Sequence, residues 1–428
     1  MVFNIGLLGL GTVGTGTAEI ILDNVGRNPL LKEIQIKRVG VRSLLKSREV
    51  KLPDDVMTTD LSAIVNDPDI EIVVELLGGL EPARSLILTA IANGKHIVTA
   101  NKAVIARHGD EIYTAANKAG VYVLLEAAVG GGIPIIKPLK QSLGVNRIQT
   151  VIGIINGTTN YILTKMSAEG LDFADVLAEA QHLGYAEADP TADVDGGDAA
   201  DKISILASIA FGERIKRDQI PCEGIRQISA TDITYAENLG FVIKLLAIAK
   251  GSKGEPLQIR VHPTLVPQDH PLSNVNDVYN AVLIEGEPLG QVMFFGPGAG
   301  KGATASAVVS DIVNIVGILK SSSSSHLDPL LMCSHQHYAS LLPLSEITTR
   351  FYTRFLCKDV PGVIGYLGTC FGNHGVSLES VVQIGFQEDL AEIVVVTHDV
   401  KEGDFRQALA EISNLEAIDS IPSIIRVL

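Results

Sequence analysis

The 428-residue chain contains no tryptophan, and aromatic residues make up only 5% of it. Readers of single-stranded nucleic acid need aromatic platforms for base stacking, so that class is disfavoured. Positive charge is scarce too. Lys and Arg number 34 against 49 Asp and Glu, a net charge of −15. Non-specific nucleic-acid binding needs clustered Lys and Arg against phosphate, which so acidic a chain is poorly placed to supply. The four cysteines, Cys222, Cys333, Cys357 and Cys370, form no CxxC pair and no metal-ligand spacing. They read as reduced core thiols of a cytoplasmic protein. No uninterrupted apolar run reaches the ~20 residues of a membrane helix, so no membrane role is expected. The N-terminus, MVFNIGLLGLG, lacks the basic region of a signal peptide and is expected to be folded protein. What is there is ordinary globular composition, 46% hydrophobic and 19% charged. At ~150 residues per domain, the length suggests two or three domains.

Short apolar runs alternate with helical patterns through the first third. Residues 4–8 form a buried-strand run ending in glycines, and Thr12 to Asn24 reads as a helix. Strands follow at 34–41, 70–76 and 97–100, with a helix from Pro82 to Asn93. Alternation of this kind predicts a parallel α/β sheet. After Glu126 a Gly/Pro-rich stretch marks a boundary. Strands are expected at 147–155, 258–265 and 277–284, and helices at 172–183 and 198–211. A second glycine-rich stretch, GPGAGKGATAS at 296–306, precedes a helix from about Ala307 to Leu319. Five serines, Ser321–Ser325, read as a linker. From about Arg350 the order is β-α-β-β-α-β, the ferredoxin-like arrangement.

Gly9-Leu-Gly11-Thr-Val-Gly14 is a GxGxxG element between a strand and a helix, the context it requires. Gly9 permits the tight turn, Gly11 admits a pyrophosphate, and Gly14 lets helix and strand pack closely. The alternative is a structural glycine turn. At the end of the second strand an NAD site places an acidic residue, whereas this chain has Arg42, with Lys46 and Arg48 close behind. Arg42 suits a 2′-phosphate, so NADP(H) is favoured, with NAD(H) as the alternative. These cations could equally be solvated surface charge.

Two stretches carry chemistry. Residues 184–202, GYAEADPTADVDGGDAADK, are dense in carboxylates. Asp198 stands where a helix begins, and Lys202, four residues on, shares its face. This is either an ordinary ion pair or a lysine held beside a substrate. The other stretch, Thr99-Ala-Asn101-Lys102, ends a parallel strand, where ligands of such sheets bind. An exposed surface lysine is the bland alternative.

These motifs resemble homoserine dehydrogenase from end to end. GLGTVG at 9–14, VELLGG at 74–79, TANK at 99–102, EAAVGGGIP at 126–134 and NGTTNYIL at 156–163 all match. So does the family signature: Ala180, Gly184-Tyr185-Ala186, Asp189-Pro190, Asp193-Val194, Gly196, Asp198 and Lys202. The resemblance implies reversible reduction of L-aspartate 4-semialdehyde to L-homoserine, in threonine, isoleucine and methionine biosynthesis. It implies Lys202 as acid/base, Asp198 as its companion, and Lys102 at the meeting of substrate and nicotinamide. Glu187 would take the substrate's amino group, with Tyr185, Asp193, Gly157 and Thr158 around it. Thr12, Val13, Thr99 and Gly302 would join Gly9, Gly11, Gly14 and Arg42 at the cofactor. A sodium ion is implied on backbone oxygens of Glu126, Val129, Gly131 and Ile133. Two lysines in one site would lower a lysine pKa by repulsion. The non-enzymatic alternative is an amino-acid sensor of the same fold.

The expected architecture is α/β. A Rossmann-type nucleotide domain (1–126, completed by about 307–340) is followed by an α+β substrate and dimerisation domain (127–306). The linker (321–325) then leads to a segment at 350–428. That last segment resembles an ACT domain, with Asp359-Val-Pro361-Gly362 as its strand-to-helix turn. L-Threonine is the implied effector, a ligand-free dimerisation module the alternative, and a homodimer or homotetramer the expected assembly.

Overall fold

The computed structural model describes residues 2–252, 254–321, 327–333, 335 and 337–428. The first sheet is built from β1 (Phe3–Leu8), β2 (Ile34–Gly40), β3 (Met57–Thr58), β4 (Ile72–Glu75), β5 (His96–Thr99) and β6 (Val123–Leu124). Its central strands β1 and β4 are mostly apolar because helices cover both faces. They run in parallel in the order β3-β2-β1-β4-β5-β6, the doubly wound order of dinucleotide-binding domains. Its helices are α1 (Thr12–Leu22), α2 (Leu61–Asn66), α3 (Ala83–Ala92) and α4 (Lys102–Ala119). Strand order reverses between β1 and β4, so the crevice opens at Gly9, just past the end of β1.

The second sheet begins with β7 (Arg147–Ile154), β8 (Phe241–Lys250), β9 (Gln258–Pro267), β10 (Tyr279–Glu287) and β11 (Gly290–Pro297). Helices α5 (Gly157–Glu169), α6 (Phe173–His182), α7 (Thr191–Val194), α8 (Gly197–Phe211) and α9 (Ala230–Asn238) lie between β7 and β8. The chain then returns to the first sheet through α10 (Lys301–Ser321), which begins about one and a half turns earlier than its sequence suggests. A Cβ on Gly16 of α1 would lie 2.9 Å from Lys301 O, so glycine there lets the two helices touch. Among the described residues α10 is the one helix long and apolar enough to span a membrane. Here it is a core helix: Val308, Ile312, Ile315 and Val316 are fully buried beside α1 and the sheet. Ser321 ends this helix, and the rest of the expected serine linker lies outside the described residues.

The C-terminal segment is β12 (Thr348–Lys358), α11 (Val363–Asn373), β13 (Leu378–Gln387), β14 (Leu390–Thr397), β15 (Val400–Lys401), α12 (Glu402–Ile412) and β16 (Ile418–Val427). This is the expected ferredoxin-like order with one short added strand. β16 also pairs in parallel with β9, through Arg426 with Thr264 and Val427 with Leu265. One sheet therefore runs through both units, β11-β10-β7-β8-β9-β16-β12-β14-β13. Buried ion pairs close the junction. Arg426 holds Glu402 at 2.6 Å and Glu223 at 2.8 Å, and Arg354 holds Asp232 at 2.8 Å and Glu392 at 2.9 Å.

Candidate active site

Helix α8 starts on Gly196, at φ 81°, where a Cβ would lie 2.8 Å from Cys222 Sγ. Glycine is thus needed for both backbone and space. It sets Asp198 in the first helical turn, where the helix dipole favours an anion. Lys202 follows on the same face, its Nζ 2.6 Å from Asp198 Oδ2 and 2.7 Å from Ile155 O. Two other helix starts converge on this carboxylate. Asn101 caps α4 with its side chain and donates to Gly79 O, which places Lys102 at the first helical position. Lys102 Nζ is 3.0 Å from Asp198 Oδ1. Asn156 caps α5 through Oδ1, while its Nδ2 donates to Asp193 Oδ1 at 2.7 Å and Asp198 Oδ2 at 2.9 Å.

Asp198 is thus a buried anion bridging two ammonium groups. Burial opposes its charge, yet Lys202 and Lys102 outweigh that and hold the carboxyl well below the usual carboxylate range. Asp198 in turn raises the Lys102 pKa against the opposing effect of burial. The expected depression by lysine–lysine repulsion is therefore corrected for Lys102: a carboxylate stands between the two cations. Asp193 behaves oppositely. Burial first, and the Asp198 charge second, push its pKa up.

The remaining substrate candidates border this cluster. Thr158 Oγ1 donates to Tyr185 O at 2.7 Å and approaches Asp193 Oδ2 at 3.4 Å. Gly157 opens α5, where a Cβ would lie 2.9 Å from Val278 O. Tyr185 is exposed, its ring 4.9 Å from that of Tyr161. Glu187 lies in the exposed loop before α7; among the described residues its carboxylate has no partner. The sequence reading missed Asn156 and Ile155 O. Asn156 was legible as an N-cap, being the first residue of the quoted NGTTNYIL, but its grip on Asp193 and Asp198 needs the fold. It also missed Asp201, held by Arg107 at 2.9 Å and Arg217 at 2.7 Å, whose charge bears on Lys102.

At the β1 turn, Gly9 has φ 109°, and a Cβ on Gly14 would run into Gly9 O. A Cβ on Gly11 would meet nothing within 4 Å, which leaves room for a pyrophosphate. Thr12 and Val13 form the first turn of α1, whose N-cap, Gly11, offers no side-chain acceptor to the free N–H groups. Arg42 is exposed, and Arg48 Nε nearby is buried without an acceptor. Gly302 is the second residue of α10 and open on its Cβ side. Thr99 is fully buried and donates its hydroxyl to Glu75 at 2.6 Å. That bond occupies the side-chain hydroxyl of this expected cofactor residue.

The Glu126 carboxylate accepts the N–H groups of Ile135, Ile136 and Lys137 at 2.7–2.8 Å. No loop or turn hydrogen bond among the described residues ends on its backbone oxygen. The chain turns at Gly130 and Gly131, both at positive φ, and no loop or turn hydrogen bond among the described residues ends on the Val129, Gly131 or Ile133 oxygens. Oxygen-only donors of this kind fit a hard monovalent ion. In the C-terminal segment, the 359–362 turn and the start of α11 line a small cavity of about 240 Å³.

A doubly wound sheet with an open glycine turn, facing a lysine-bearing cluster, is the architecture of a dinucleotide-dependent oxidoreductase. Comparison with known proteins narrows this. Family models match as homoserine dehydrogenase NAD-binding domain (9–126), homoserine dehydrogenase (134–313) and ACT domain (351–417). A homoserine dehydrogenase of Synechocystis sp. is 71% identical over the full length of both chains. One from Neisseria gonorrhoeae is 43% identical over 99% of this chain and 98% of its own. The crystal structure of a Thiobacillus denitrificans homoserine dehydrogenase superposes with a TM-score of 0.94 at 42% identity, covering 100% of this chain and 98% of that one. A hyperthermophilic archaeal homoserine dehydrogenase in complex with NADPH, 32% identical, covers 75% of this chain and 99% of its own at a TM-score of 0.63. The chain belongs to the homoserine dehydrogenase family, with a C-terminal ACT domain.

Proposed function

We propose that the chain interconverts L-aspartate 4-semialdehyde and L-homoserine, with NADP(H) preferred over NAD(H) and Lys202 as the acid/base. The observation that carries this reading is the Lys202 ammonium, held from two sides by Asp198 and Ile155 O. An ammonium has three N–H donors, so one remains to point at a substrate oxygen. The bound nicotinamide supplies or accepts the hydride. As the aldehyde carbon is reduced, Lys202 and Lys102 stabilise the negative charge developing on oxygen. Lys202 then gives that oxygen a proton, and Asp198 keeps the amine in place. In the reverse direction neutral Lys202 takes the alcohol proton.

The free carboxylate of Glu187 suits the substrate ammonium. The first turn of α5, at Gly157 and Thr158, suits its carboxylate. Tyr185 and Asp193 frame the pocket. Gly9, Gly11, Thr12, Val13 and Gly14 would hold the pyrophosphate, with Gly302 and Lys102 completing the cofactor site. Arg42 and the orphaned Arg48 donor support a 2′-phosphate, as does the NADPH bound by the archaeal relative. Sodium would sit on the oxygens of Glu126, Val129, Gly131 and Ile133, pinning the loop that joins the two sheets. The cavity at α11 is of a size for one amino acid, which supports L-threonine as effector. Exposed Met293 and Phe295 on the edge strand β11, with Tyr279 stacked on Phe295, support a homodimer. The division into 1–126 with 307–340, 127–306 and 350–428 belongs to the same reading.

The test is hydride transfer from NADPH and NADH to L-aspartate semialdehyde, for wild type and Lys202→Ala, with and without L-threonine. We expect faster turnover with NADPH, inhibition by threonine, and at least a ~100-fold loss in Lys202→Ala with NADPH binding retained. An inactive wild type that still binds amino acids would replace the enzyme reading with the sensor.

A further inference from the structure

A second cavity lies apart from the site above. It holds about 1030 Å³ and lies between the early and middle turns of α4 and the later turns of α8, with Pro329, Met332, Cys333, His335 and Tyr338 on one side. Lys102, Asp198, Lys202 and the Gly9–Gly14 turn do not border it. Its size is at the upper end of the ~300–1,000 Å³ typical of small-molecule sites.

The walls combine two features. Much of the surface is apolar, with Ile105, Leu139, Ile148, Ile205, Ile209 and Phe211 facing the space. Around them stand Arg107, Lys140, Arg147, Arg214, Lys216 and Arg217, against only two carboxylates, Asp110 and Asp218. Asp201 neutralises Arg107 and Arg217. Among the described residues, none of the other four cations has an ion-pair partner. Lys140 Nζ donates to Leu331 O at 2.7 Å, and burial pulls its pKa down. Arg214 donates to His335 O and Thr114 Oγ1. Lys216 stands 5.3 Å over the Tyr338 ring.

In a chain of net charge −15 this concentration of unmatched cations is unexpected. Low-dielectric walls focus such a field into the cavity. A neutral apolar guest would leave the half-buried Lys140 charge uncompensated. A small polyanion such as phosphate would leave the apolar walls wet. We propose that this cavity binds a small amphipathic anion: an apolar body carrying one carboxylate, sulfonate or phosphate group.

The probe is 8-anilinonaphthalene-1-sulfonate, followed by its fluorescence on the full chain saturated with NADP+. The expected result is saturable binding to one site that persists under NADP+. Lys140→Met should weaken it about fivefold, and Ile209→Trp, which fills the cavity, about tenfold or more. The neutral analogue N-phenyl-1-naphthylamine should bind about tenfold more weakly than the sulfonate. Circular dichroism and NADP+ affinity report that each variant is folded. Three results would each overturn the proposal. One is displacement of the probe by NADP+. Another is equal binding by wild type and both variants. The third is loss of binding as protein concentration rises, which would mean that a second copy closes the cavity.

Discussion

Replacing Asp198 by asparagine keeps the shape of the site and removes one charge. The carboxylate lies 2.6 Å from one ammonium and 3.0 Å from the other. At an effective dielectric of about 20, unit charges 4 Å apart interact by ~4 kcal/mol. That attraction favours the charged form of a neighbouring lysine. The Lys102 side chain is 38% exposed, so solvent screens part of this. We expect the Lys102 pKa to fall in Asp198→Asn, because the carboxylate that raises it is gone. NMR titration of ε-13C-lysine, with Lys102→Ala to assign the signal, measures it directly. Turnover should drop about a hundredfold while NADPH affinity is kept, because Asp198 positions Lys202 without touching the cofactor turn. Stability gives a third readout. A carboxyl held below its unfolded pKa stabilises the fold above pH ~4, and that contribution is lost as pH falls through the folded value. In Asp198→Asn this part of the acid limb of a urea-stability profile should disappear. An unchanged or raised Lys102 pKa would refute the bridging role assigned to Asp198.

Other expectations follow from single contacts. Gly14→Ala drives a Cβ into Gly9 O and should cost about 1–3 kcal/mol in urea unfolding. Gly11→Ala has free space and φ −81°, so it should leave the melting temperature unchanged and weaken NADPH binding, read by fluorescence titration. Arg426→Met leaves the buried Glu402 carboxylate only Arg406, 3.1 Å away, and should lower stability by about 3 kcal/mol, read from urea midpoints. Lys244 is buried on the oxygens of Val275 and Asn276, and burial lowers its pKa to about 8. The unfolded lysine keeps its proton to higher pH, so this group makes stability rise between about pH 8 and 10. The difference in unfolding free energy between wild type and Lys244→Met should show that slope, and a flat difference would count against it.

Local pattern carried much of the fold. The apolar runs at Phe3–Leu8 and Ile72–Glu75 are strands because a sheet covered on both faces needs them apolar throughout. The GxGxxG turn was legible because its glycines answer to backbone sterics within a few residues. The Asp198–Lys202 pair was legible because one helical turn brings residues four apart together. The start of α10 was misplaced because its glycine-rich N-terminus is held by α1, which is remote in sequence.

Tertiary structure decided the rest. Lys102, Asn156 and Asp198 start three different helices, and no spacing rule joins them. They meet because α4, α5 and α8 pack with their N-termini on one point. That packing puts a carboxylate between the two lysines, and so it set the direction of the Lys102 pKa shift. The parallel pairing of β9 with β16, which makes one sheet of two units, is equally invisible in the chain. Propensity, caps and short motifs act over a few residues, so sequence alone can carry them. Charge, burial and strand partnership depend on which distant segments exclude water together, and only the folded chain determines that.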